Sequence, residues 1–239
     1  MSSDRVGDIR SVLEFYEAMG IDRIPVTLVE AKSSARAPQR QRQDAADAAL
    51  TTDEKRERLA ALREEIGDCA RCKLSERRTK IVYGDGDPGA RIMFIGEGPG
   101  KEEDLQGLPF VGDAGMLLTR LIEKMGLGRS DVYIANIVKC RPPLNRDPED
   151  DEIATCRGFV ERQASIIRPE VIVTLGRIAL QTLLDNPKLR ITAARGKFYD
   201  YKGIPLMPTF HPAYLLRNPG DKWKTWADAQ KVMERIGMK

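Results

Sequence analysis

The chain has 239 residues, of which 41% are hydrophobic and 31% are charged, and its formal net charge is +3. This length suffices for one α/β domain with a sizeable core and an appendage, and the near balance of charge neither requires nor excludes a nucleic-acid partner. No run approaches the roughly 20 apolar residues of a membrane span, and the first ten residues lack the apolar core of a signal peptide. We therefore expect a cytoplasmic protein, in which thiols stay reduced.

Residues 1–52 are predicted to form an N-terminal extension of the main domain. Residues 5–20 have the apolar spacing of a short amphipathic helix, which could bind an unknown partner. Residues 31–52 are rich in Ala, Gln, Arg and Ser, and they contain no aromatic residue. This composition is typical of a flexible tether, and its basic start could instead serve as a non-specific tether to DNA.

The main domain, residues 53–239, alternates short apolar runs with helical patterns. Buried strands are predicted at Arg91–Ile95, Val132–Val138, Val171–Leu175 and Pro205–Thr209. Helices are predicted from Thr52 onward and at 114–126, 149–167, 176–185 and 222–236. The alternation predicts a three-layer α/β/α fold with a central, mainly parallel four-stranded sheet, in which ligands bind at the carboxyl ends of the strands.

Four cysteines, Cys69, Cys72, Cys140 and Cys156, form a candidate metal site. The first two form a C-x-x-C pair, and Cys140 directly follows a predicted strand. In a reducing compartment this set favours a metal site over disulfides, with four inert buried cysteines as the alternative. Four thiolates suit tetrahedral zinc or a cubane iron–sulfur cluster, and the separated third and fourth cysteines modestly favour the cluster.

A glycine-rich turn, Gly96-Glu97-Gly98-Pro99-Gly100, follows the first predicted strand. Glycines allow close approach of the backbone to a ligand, and the exposed N–H groups of such a turn can hold an anion or a carbonyl oxygen. The spacing matches neither a Walker loop nor a dinucleotide fingerprint. By itself the turn could also be a structural corner between a strand and a helix.

His211, the single histidine of the chain, follows the last predicted strand and precedes Leu215, Leu216 and Arg217. It could be a hydrogen-bonded histidine at a strand end with no role in a reaction. Exposed leucine beside a cation, however, is a means of inserting between stacked bases while gripping phosphate. Two tryptophans in the last predicted helix, at positions 223 and 226, are expected to pack in the core.

Together these segments resemble the iron–sulfur uracil-DNA glycosylases, family 4 of the uracil-DNA glycosylase superfamily. The resemblance extends from about Leu59 to the C-terminus and rests on the order and spacing of short motifs. These motifs are Cys69–Cys72, Val82–Gly86, Gly96–Gly100 with Glu102, Glu103 and Asp104, Pro109–Gly112, Tyr133–Pro143 with Asn145 and Arg146, Cys156, and His211–Leu216. The resemblance implies a 4Fe-4S cluster on the four cysteines and hydrolytic removal of uracil from single- or double-stranded DNA. We further expect a monomer that is associated with the nucleoid through DNA.

The resemblance further implies roles in base recognition. Phe110 would stack on the flipped uracil, and Asn136 would read its edge through paired hydrogen bonds. Glu103 would crowd the C5 position and so exclude thymine. His211 would donate to uracil O2 as negative charge develops there, and the backbone at residues 96–98, which includes Gly96 and Gly98, would help to hold the base.

DNA contacts are expected from Leu215, which would fill the gap left by the extruded base, and from the arginines Arg217, Arg141 and Arg146. The cluster would order a basic loop that grips phosphate, formed by Arg71, Lys73, Lys139, Arg141 and Arg146, and would not take part in redox chemistry during excision. The loss of one cysteine ligand would then reduce stability and DNA affinity before chemistry.

The motifs leave open which residue activates the attacking water. The best-known branch of the superfamily has an aspartate in the glycine-rich turn, where this chain has Gly98. Glu97 is the first candidate for this role and Asp104 the second. The alternatives to a monofunctional uracil-DNA glycosylase are an inactive DNA-binding cluster protein, a structural-zinc protein, and a glycosylase with broader specificity for deaminated bases.

Overall fold

The structure is a computed structural model that describes residues 50–238. The strands are β1 (Asp85–Gly86), β2 (Ile92–Gly96), β3 (Tyr133–Asn136), β4 (Val171–Leu175), β5 (Tyr199–Tyr201) and β6 (Ile204–Thr209). The α-helices are α1 (Thr52–Ile66), α2 (Lys101–Gln106), α3 (Asp113–Lys124), α4 (Asp150–Ile167), α5 (Arg177–Leu183), α6 (Ile191–Ala194), α7 (Pro212–Arg217) and α8 (Lys222–Arg235). Short 3-10 helices lie at Lys73–Glu76, Arg129–Asp131, Pro143–Asn145 and Pro219–Asp221.

Several expectations fall outside the described part of the chain. These are the helix over residues 5–20 and nearly all of the tether over residues 31–52, so the domain boundary at residue 52 stays a prediction. Among the residues that are described, no helix is both long enough and apolar enough to cross a membrane.

The strands form one sheet in the order β1-β3-β2-β4-β6-β5. The four central strands are parallel, and the two edge strands run antiparallel to their neighbours. The predicted α/β class and mainly parallel sheet are confirmed, and the four predicted runs are the four parallel strands. The predicted strand number is wrong, because the sheet has six strands. The two additional strands have only two and three residues, and they lack the apolar run that marks a buried strand.

Helices cover both faces of the sheet, as the predicted three layers require. Successive residues of a strand point to opposite faces. Ile95 therefore packs with Leu62 of α1 and Val160 of α4 on one side. Its neighbour Phe94 packs on the other side with Ile122 of α3 and with buried residues of α8.

Helix α1 leads the chain to the first cysteine pair. Its N-cap is Thr51, whose hydroxyl accepts a hydrogen bond from the Glu54 N–H at 3.2 Å while Glu54 accepts one from the Thr51 N–H at 2.8 Å. This reciprocal cap fixes the start of the helix. The helix ends at Gly67, whose φ of 51° reverses the chain just before Cys69.

The carboxyl ends of the parallel strands bring the predicted motifs to one edge of the sheet. β2 leads into the glycine-rich turn, and β3, which is its parallel neighbour, ends at Asn136 opposite Gly96. β6 ends at Thr209, two residues before His211. Ligand sites of open parallel sheets lie at this edge, so the topology places the candidate residues where a site is expected.

Candidate active site and cysteine centre

A cleft of about 420 Å³ lies at this carboxyl edge. Its walls come from the turn after β2, from α2, the start of α3 and the segment between them, from the end of β3 and the segment that follows it, and from α7 with the residue before it. It brings together most of the predicted substrate and DNA contacts, namely Glu97, Gly98, Glu103, Phe110, Asn136, Arg146, His211 and Arg217. Of the other predicted residues, Gly96, Arg141 and Leu215 are not part of its described lining.

Asn136 ends β3 in the cleft wall with only 1% of its surface exposed. Its amide Nδ2 and Oδ1 are buried and have no hydrogen-bond partner among the described residues. An unpaired buried polar group is unfavourable by about 1–3 kcal/mol, so this amide indicates a ligand that would complete its hydrogen bonds. A β-carbon on Gly96 would lie 2.5 Å from Asn136 Oδ1, so only glycine leaves room for the amide.

Phe110 lies directly beside this amide. A β-carbon on Gly96 would also lie 2.5 Å from Phe110 Cζ, so the ring and the amide border the same space. Phe110 has a φ of 52°, a left-handed conformation that aromatic residues rarely adopt. Arg129 holds this segment by donating to the carbonyl oxygens of Phe110 at 3.0 Å and Pro109 at 2.8 Å. An unusual backbone conformation fixed by its surroundings is typical of functional positions.

His211 caps the N-terminus of α7 and faces Phe110, with 5.7 Å between the ring centroids. Its Nδ1 accepts a hydrogen bond from the Ala213 backbone N–H at 3.1 Å, so the neutral ring carries its proton on Nε2. Burial, with a smaller contribution from the Arg217 charge, lowers the pKa of His211 to about 4. The ring is therefore neutral at physiological pH and offers Nε2–H as a hydrogen-bond donor.

Glu97 supplies a carboxyl group to the cleft from the turn after β2. Burial raises the pKa of Glu97 to about 7, and the Asp147 charge adds to this effect while Arg177 opposes it. Asp147 lines the same cleft and accepts a hydrogen bond from Arg177 at 2.5 Å. A side chain at Gly98 would collide with Val138, because its β-carbon would lie 2.7 Å from Val138 Cγ2. Glu97 is thus the carboxyl group that the turn can present.

Glu103 lines the cleft and also ties α2 to the segment that carries Phe110. Its Oε1 accepts hydrogen bonds from the backbone N–H groups of Val111 at 2.8 Å and Gly112 at 2.9 Å. Its Oε2 accepts one from the Gly100 N–H at 3.1 Å. These bonds fix the position of the Glu103 carboxylate relative to the Phe110 ring.

Three residues lie elsewhere than the sequence led us to expect. Asp104 is buried outside the cleft lining and accepts a hydrogen bond from the Thr79 N–H at 2.9 Å, so it is not placed to activate water. Leu215 is only 3% exposed, whereas Leu216 is 45% exposed, because α7 turns the first of the pair into the core. Insertion of Leu215 into DNA would require α7 to move. Trp223, expected in the core, is exposed.

The arginines that are predicted to contact DNA differ in whether their side chains are held by other residues. Arg217 is exposed and lines the cleft. Arg146 also lines it, and both of its terminal nitrogens donate to the carboxylate of Glu152, at 2.8 and 2.7 Å. Arg141 donates to Asn145 Oδ1 at 2.7 Å. The last two arginines are thus fixed on either side of the short turn between them.

Lys139 does not belong to an exposed basic loop, contrary to expectation. The side chain is buried, and its ammonium group donates to the Asn136 carbonyl at 3.0 Å and to Gln163 Oε1 at 2.7 Å. Lys73, another expected phosphate contact, forms an ion pair with Glu149 at 2.5 Å. The sequence alone showed neither the burial of Lys139 nor the ion pair of Lys73.

The four cysteines line one small cavity beside Phe159. Three hydrogen-bond donors reach their sulfurs: Arg71 reaches Cys69 at 3.1 Å, Arg78 reaches Cys140 at 3.7 Å, and the Lys139 backbone N–H reaches Cys156 at 3.3 Å. Within residues 50–238, no three His, Cys, Asp or Glu side chains form a ready site for a metal ion. A shared cavity, four sulfur donors and N–H groups aimed at sulfur nevertheless fit a thiolate-bound cluster.

Burial raises the pKa of Cys140 to about 12, because it disfavours the charged thiolate. It also raises the pKa of Cys156. Without a metal these two side chains are therefore thiols at neutral pH. A metal would have to displace their protons on binding, so its affinity would increase with pH.

Sequence reasoning missed Asp147, Arg177 and Arg78. Asp147 directly follows the Asn145-Arg146 motif, and this proximity is the one signal that could have pointed to it. Arg177 begins α5 and is linked to the cleft by its bond to Asp147 and by the effect of its charge on Glu97. Arg78 lies between motifs, and its contact with Cys140 depends on the tertiary fold.

Comparisons with known proteins agree with this geometry. The family model described as Uracil DNA glycosylase superfamily matches residues 83–233. A type-4 uracil-DNA glycosylase of Thermotoga maritima is 50% identical over 68% of this chain and 85% of that protein. A type-4 uracil-DNA glycosylase of Saccharolobus solfataricus is 46% identical over 76% of this chain and 88% of that protein. A type-5 uracil-DNA glycosylase of Thermus thermophilus is 37% identical over 57% of this chain and 69% of that protein.

Proposed function

The chain belongs to the type-4 family of the uracil DNA glycosylase superfamily, and from this membership we propose that it hydrolyses the N-glycosidic bond of uracil in DNA. The products would be free uracil and an abasic site. The observation that carries the proposal is the Asn136 amide, which is buried in the cleft wall without a hydrogen-bond partner. Uracil offers one acceptor and one donor side by side on its edge, which match the Nδ2 and Oδ1 of this amide.

The cleft supports extrusion of the base from the helix. An enzyme that acts on a base must take it out of the stack, and it holds the flipped base by stacking and by hydrogen bonds to its edge. Phe110 supplies an aromatic face beside the Asn136 amide. Glu103 lies in the same cleft with its carboxylate fixed by three backbone N–H groups. We assign it the exclusion of the thymine methyl group, because a fixed side chain cannot yield to added volume.

His211 would stabilise the leaving uracil. Cleavage passes through an oxocarbenium-like sugar, and negative charge develops on the uracil oxygens. The neutral imidazole, with Nδ1 held by the Ala213 N–H, presents Nε2–H as a fixed donor to O2. A preorganised donor of this kind typically contributes about 3–4 kcal/mol to transition-state stabilisation.

Glu97 would orient and deprotonate the water that attacks the sugar. Its pKa of about 7 matches the requirement that a general base be ionised in part, yet basic enough to accept a proton near neutral pH. It is the carboxyl group of the glycine-rich turn, since Gly98 has no room for a side chain. Hydrolysis by water makes the proposed enzyme monofunctional, without cleavage of the DNA strand.

The cysteines would hold a 4Fe-4S cluster, which would supply a structural cross-link and no chemistry in excision. Cys69 and Cys72 would join through it to Cys140 and Cys156, which lie after β3 and on α4. The four cysteines are free thiols in the structure, as is usual in a reducing compartment, and this supports the proposal of a cytoplasmic protein. We also propose that the protein acts as a monomer.

A uracil-containing oligonucleotide tests the proposed function. Alkali after incubation should cleave the strand at the uracil position, and an identical oligonucleotide with thymine should stay intact. Asn136→Ala and His211→Ala should each lower the single-turnover rate by about a hundredfold or more, as expected for the loss of a preorganised contact.

Failure of the cluster-loaded wild type to act on uracil would contradict the proposal and favour a DNA-binding protein without excision activity. A panel with hypoxanthine and xanthine in place of uracil would measure the breadth of specificity. Both panels need the same protein preparation, with iron quantified, so that inactivity is not confused with an unloaded centre.

A further inference from the structure

Leu144 is presented to solvent in an unfavourable backbone conformation. Its side chain is 96% exposed, more than any other large hydrophobic side chain among the described residues. It lies in the short turn Pro143–Asn145 with a φ of 53° and a ψ of 21°, and Asn145 has a φ of 56°. Asparagine adopts this left-handed conformation readily, but leucine seldom does. An exposed apolar residue in an unfavourable conformation indicates a function.

The turn holds Leu144 in a fixed position. The Asn145 N–H donates to the Pro142 carbonyl at 3.0 Å, and the Arg146 N–H donates to the Pro143 carbonyl at 3.1 Å. Side chains on both sides are also fixed, because Arg141 bonds to Asn145 and Arg146 bonds to Glu152. Leu144 is therefore presented on a rigid support.

The position of the turn identifies what Leu144 would meet. Pro142, Asn145 and Arg146, which flank Leu144, line the cleft that would receive the uracil. The apolar side chain is thus placed at the rim, between two arginines of the same segment. Stacked bases with phosphates on either side offer the matching surface, since the bases are apolar on their faces and the phosphates are anionic.

We propose that Leu144 inserts into the base stack of duplex DNA next to the extruded nucleotide. The proposal rests on the proposed function, because it requires a base in the cleft. Leu216, which is exposed on α7 beside the cleft-lining Arg217, would approach the duplex from the other wall. Insertion compensates for lost stacking, so it matters in a duplex and has no comparable effect in a flexible single strand.

Two variants, Leu144→Asn and Leu144→Met, test the proposed insertion. Their excision rates are compared on matched single-stranded and double-stranded uracil oligonucleotides. Asparagine suits the left-handed turn but removes the apolar side chain, whereas methionine keeps an apolar side chain on the same backbone. We expect Leu144→Asn to lose about tenfold in single-turnover rate on the duplex and to keep its rate on the single strand. Leu144→Met should retain most of the duplex rate, and neither variant should unfold at a lower temperature than wild type.

Fluorescence of 2-aminopurine placed next to the uracil in the duplex gives a readout that does not depend on cleavage. Binding should raise the fluorescence less for Leu144→Asn than for wild type, because unstacking would be less complete. An unchanged duplex rate in Leu144→Asn, or an equal loss on both substrates, would overturn the proposal. If wild type excises uracil from neither substrate, the proposed function fails and the role of Leu144 fails with it.

Discussion

Glu97 is the residue whose protonation most directly links the structure to activity. Its carboxyl group is half-buried in the cleft near Asp147, and its pKa is raised to about 7, so the charged and neutral forms coexist near neutral pH. His211 does not titrate in the same range, because its pKa is lowered to about 4. Burial also lowers the pKa of Lys139 to about 7, so a change in rate between pH 6 and 8 is assigned to Glu97 only if Glu97→Gln abolishes it.

Glu97→Gln should remove this pH dependence. In the wild type, the single-turnover excision rate should fall as the pH decreases through about 7, because the base becomes protonated. The variant should be slower at pH 8 by about a hundredfold or more and should show a flat profile across this range. The rates are best measured on single-stranded substrate, so that duplex opening does not limit them.

The stability of the same variant provides a control, because Glu97→Gln should lower the activity at pH 8 but raise the free energy of unfolding. The pKa of Glu97 is raised in the folded state, so its ionisation destabilises the fold progressively as the pH rises from about 4.5 to 7, and fully above 7. Glu97→Gln should then be more stable than wild type at pH 8, by roughly 3 kcal/mol at most, and equally stable at pH 4. A variant that is both inactive and destabilised at pH 8 would indicate a structural role for Glu97 instead.

At the level of single residues, the sequence predicted which residues form the site better than it predicted the direction in which their side chains point. Asn136, Phe110 and His211 were expected at the site and do lie together in the cleft. Leu215 and Leu216 are adjacent in sequence, and only the path of α7 determines which one is buried. The left-handed conformation of Leu144 has no sequence signal, because leucine is not a residue that favours it.

Among the structural elements, the segment from Asn136 to Cys140 connects the base-binding residue to the cysteine centre. Ile137 and Val138 donate backbone hydrogen bonds to Gly96 and to Glu97 at 2.9 and 3.1 Å, which continue the β2–β3 pairing into the glycine-rich turn. The Lys139 side chain then bonds back to the Asn136 carbonyl. The segment thereby fixes the distance between the cleft and the cavity that the cysteines line.

Lys139→Met should disturb this segment. It keeps the apolar stem but leaves Gln163 Oε1 and the Asn136 carbonyl without the ammonium donor. We expect the free energy of unfolding to fall by about 1–3 kcal/mol, together with a lower excision rate, since Asn136 loses a backbone restraint. Thermal unfolding and single-turnover assays measure the two effects, and Lys188→Met, at an exposed lysine, is the matched control. Identical behaviour of the two variants would argue against a role for the buried ammonium.

The elements themselves follow closely from sequence where burial is strong. The run Val171–Leu175 was predicted with the bounds that the structure has, because a fully buried parallel strand is apolar throughout. The edge strands β1 and β5 were not predicted, since pairing along one side does not require an apolar sequence. The burial of Lys139 contradicts the usual surface preference of lysine, and it is made tolerable by two acceptors, the Asn136 carbonyl and Gln163 on α4.

At the scale of the whole molecule, the cysteine cavity joins parts that are distant in sequence. Cys69 and Cys72 follow α1, and Cys156 lies on α4, which packs on the same face of the sheet as α1. Sequence spacing indicated a common metal site but could not show the donors to sulfur, since Arg78 reaches Cys140 only in the folded chain. The cleft and the cavity both depend on the segment after β3, so stability and function are expected to be coupled through it.

Cys140→Ala should reveal this coupling. The loss of one thiolate should reduce bound iron and lower the midpoint of thermal unfolding, because the cross-link between the α1 side and α4 is weakened. Thr155→Ala, at a cavity residue that is not a proposed ligand, is the matched control and should keep its iron.

At a temperature where Cys140→Ala remains folded, duplex affinity should fall more than the single-turnover rate at saturating protein, since the cluster would position DNA contacts and would not act on the glycosidic bond. Full iron content, stability and duplex affinity in Cys140→Ala would refute the cluster assignment, and a selective loss of the single-turnover rate would instead place the cysteines in the chemistry.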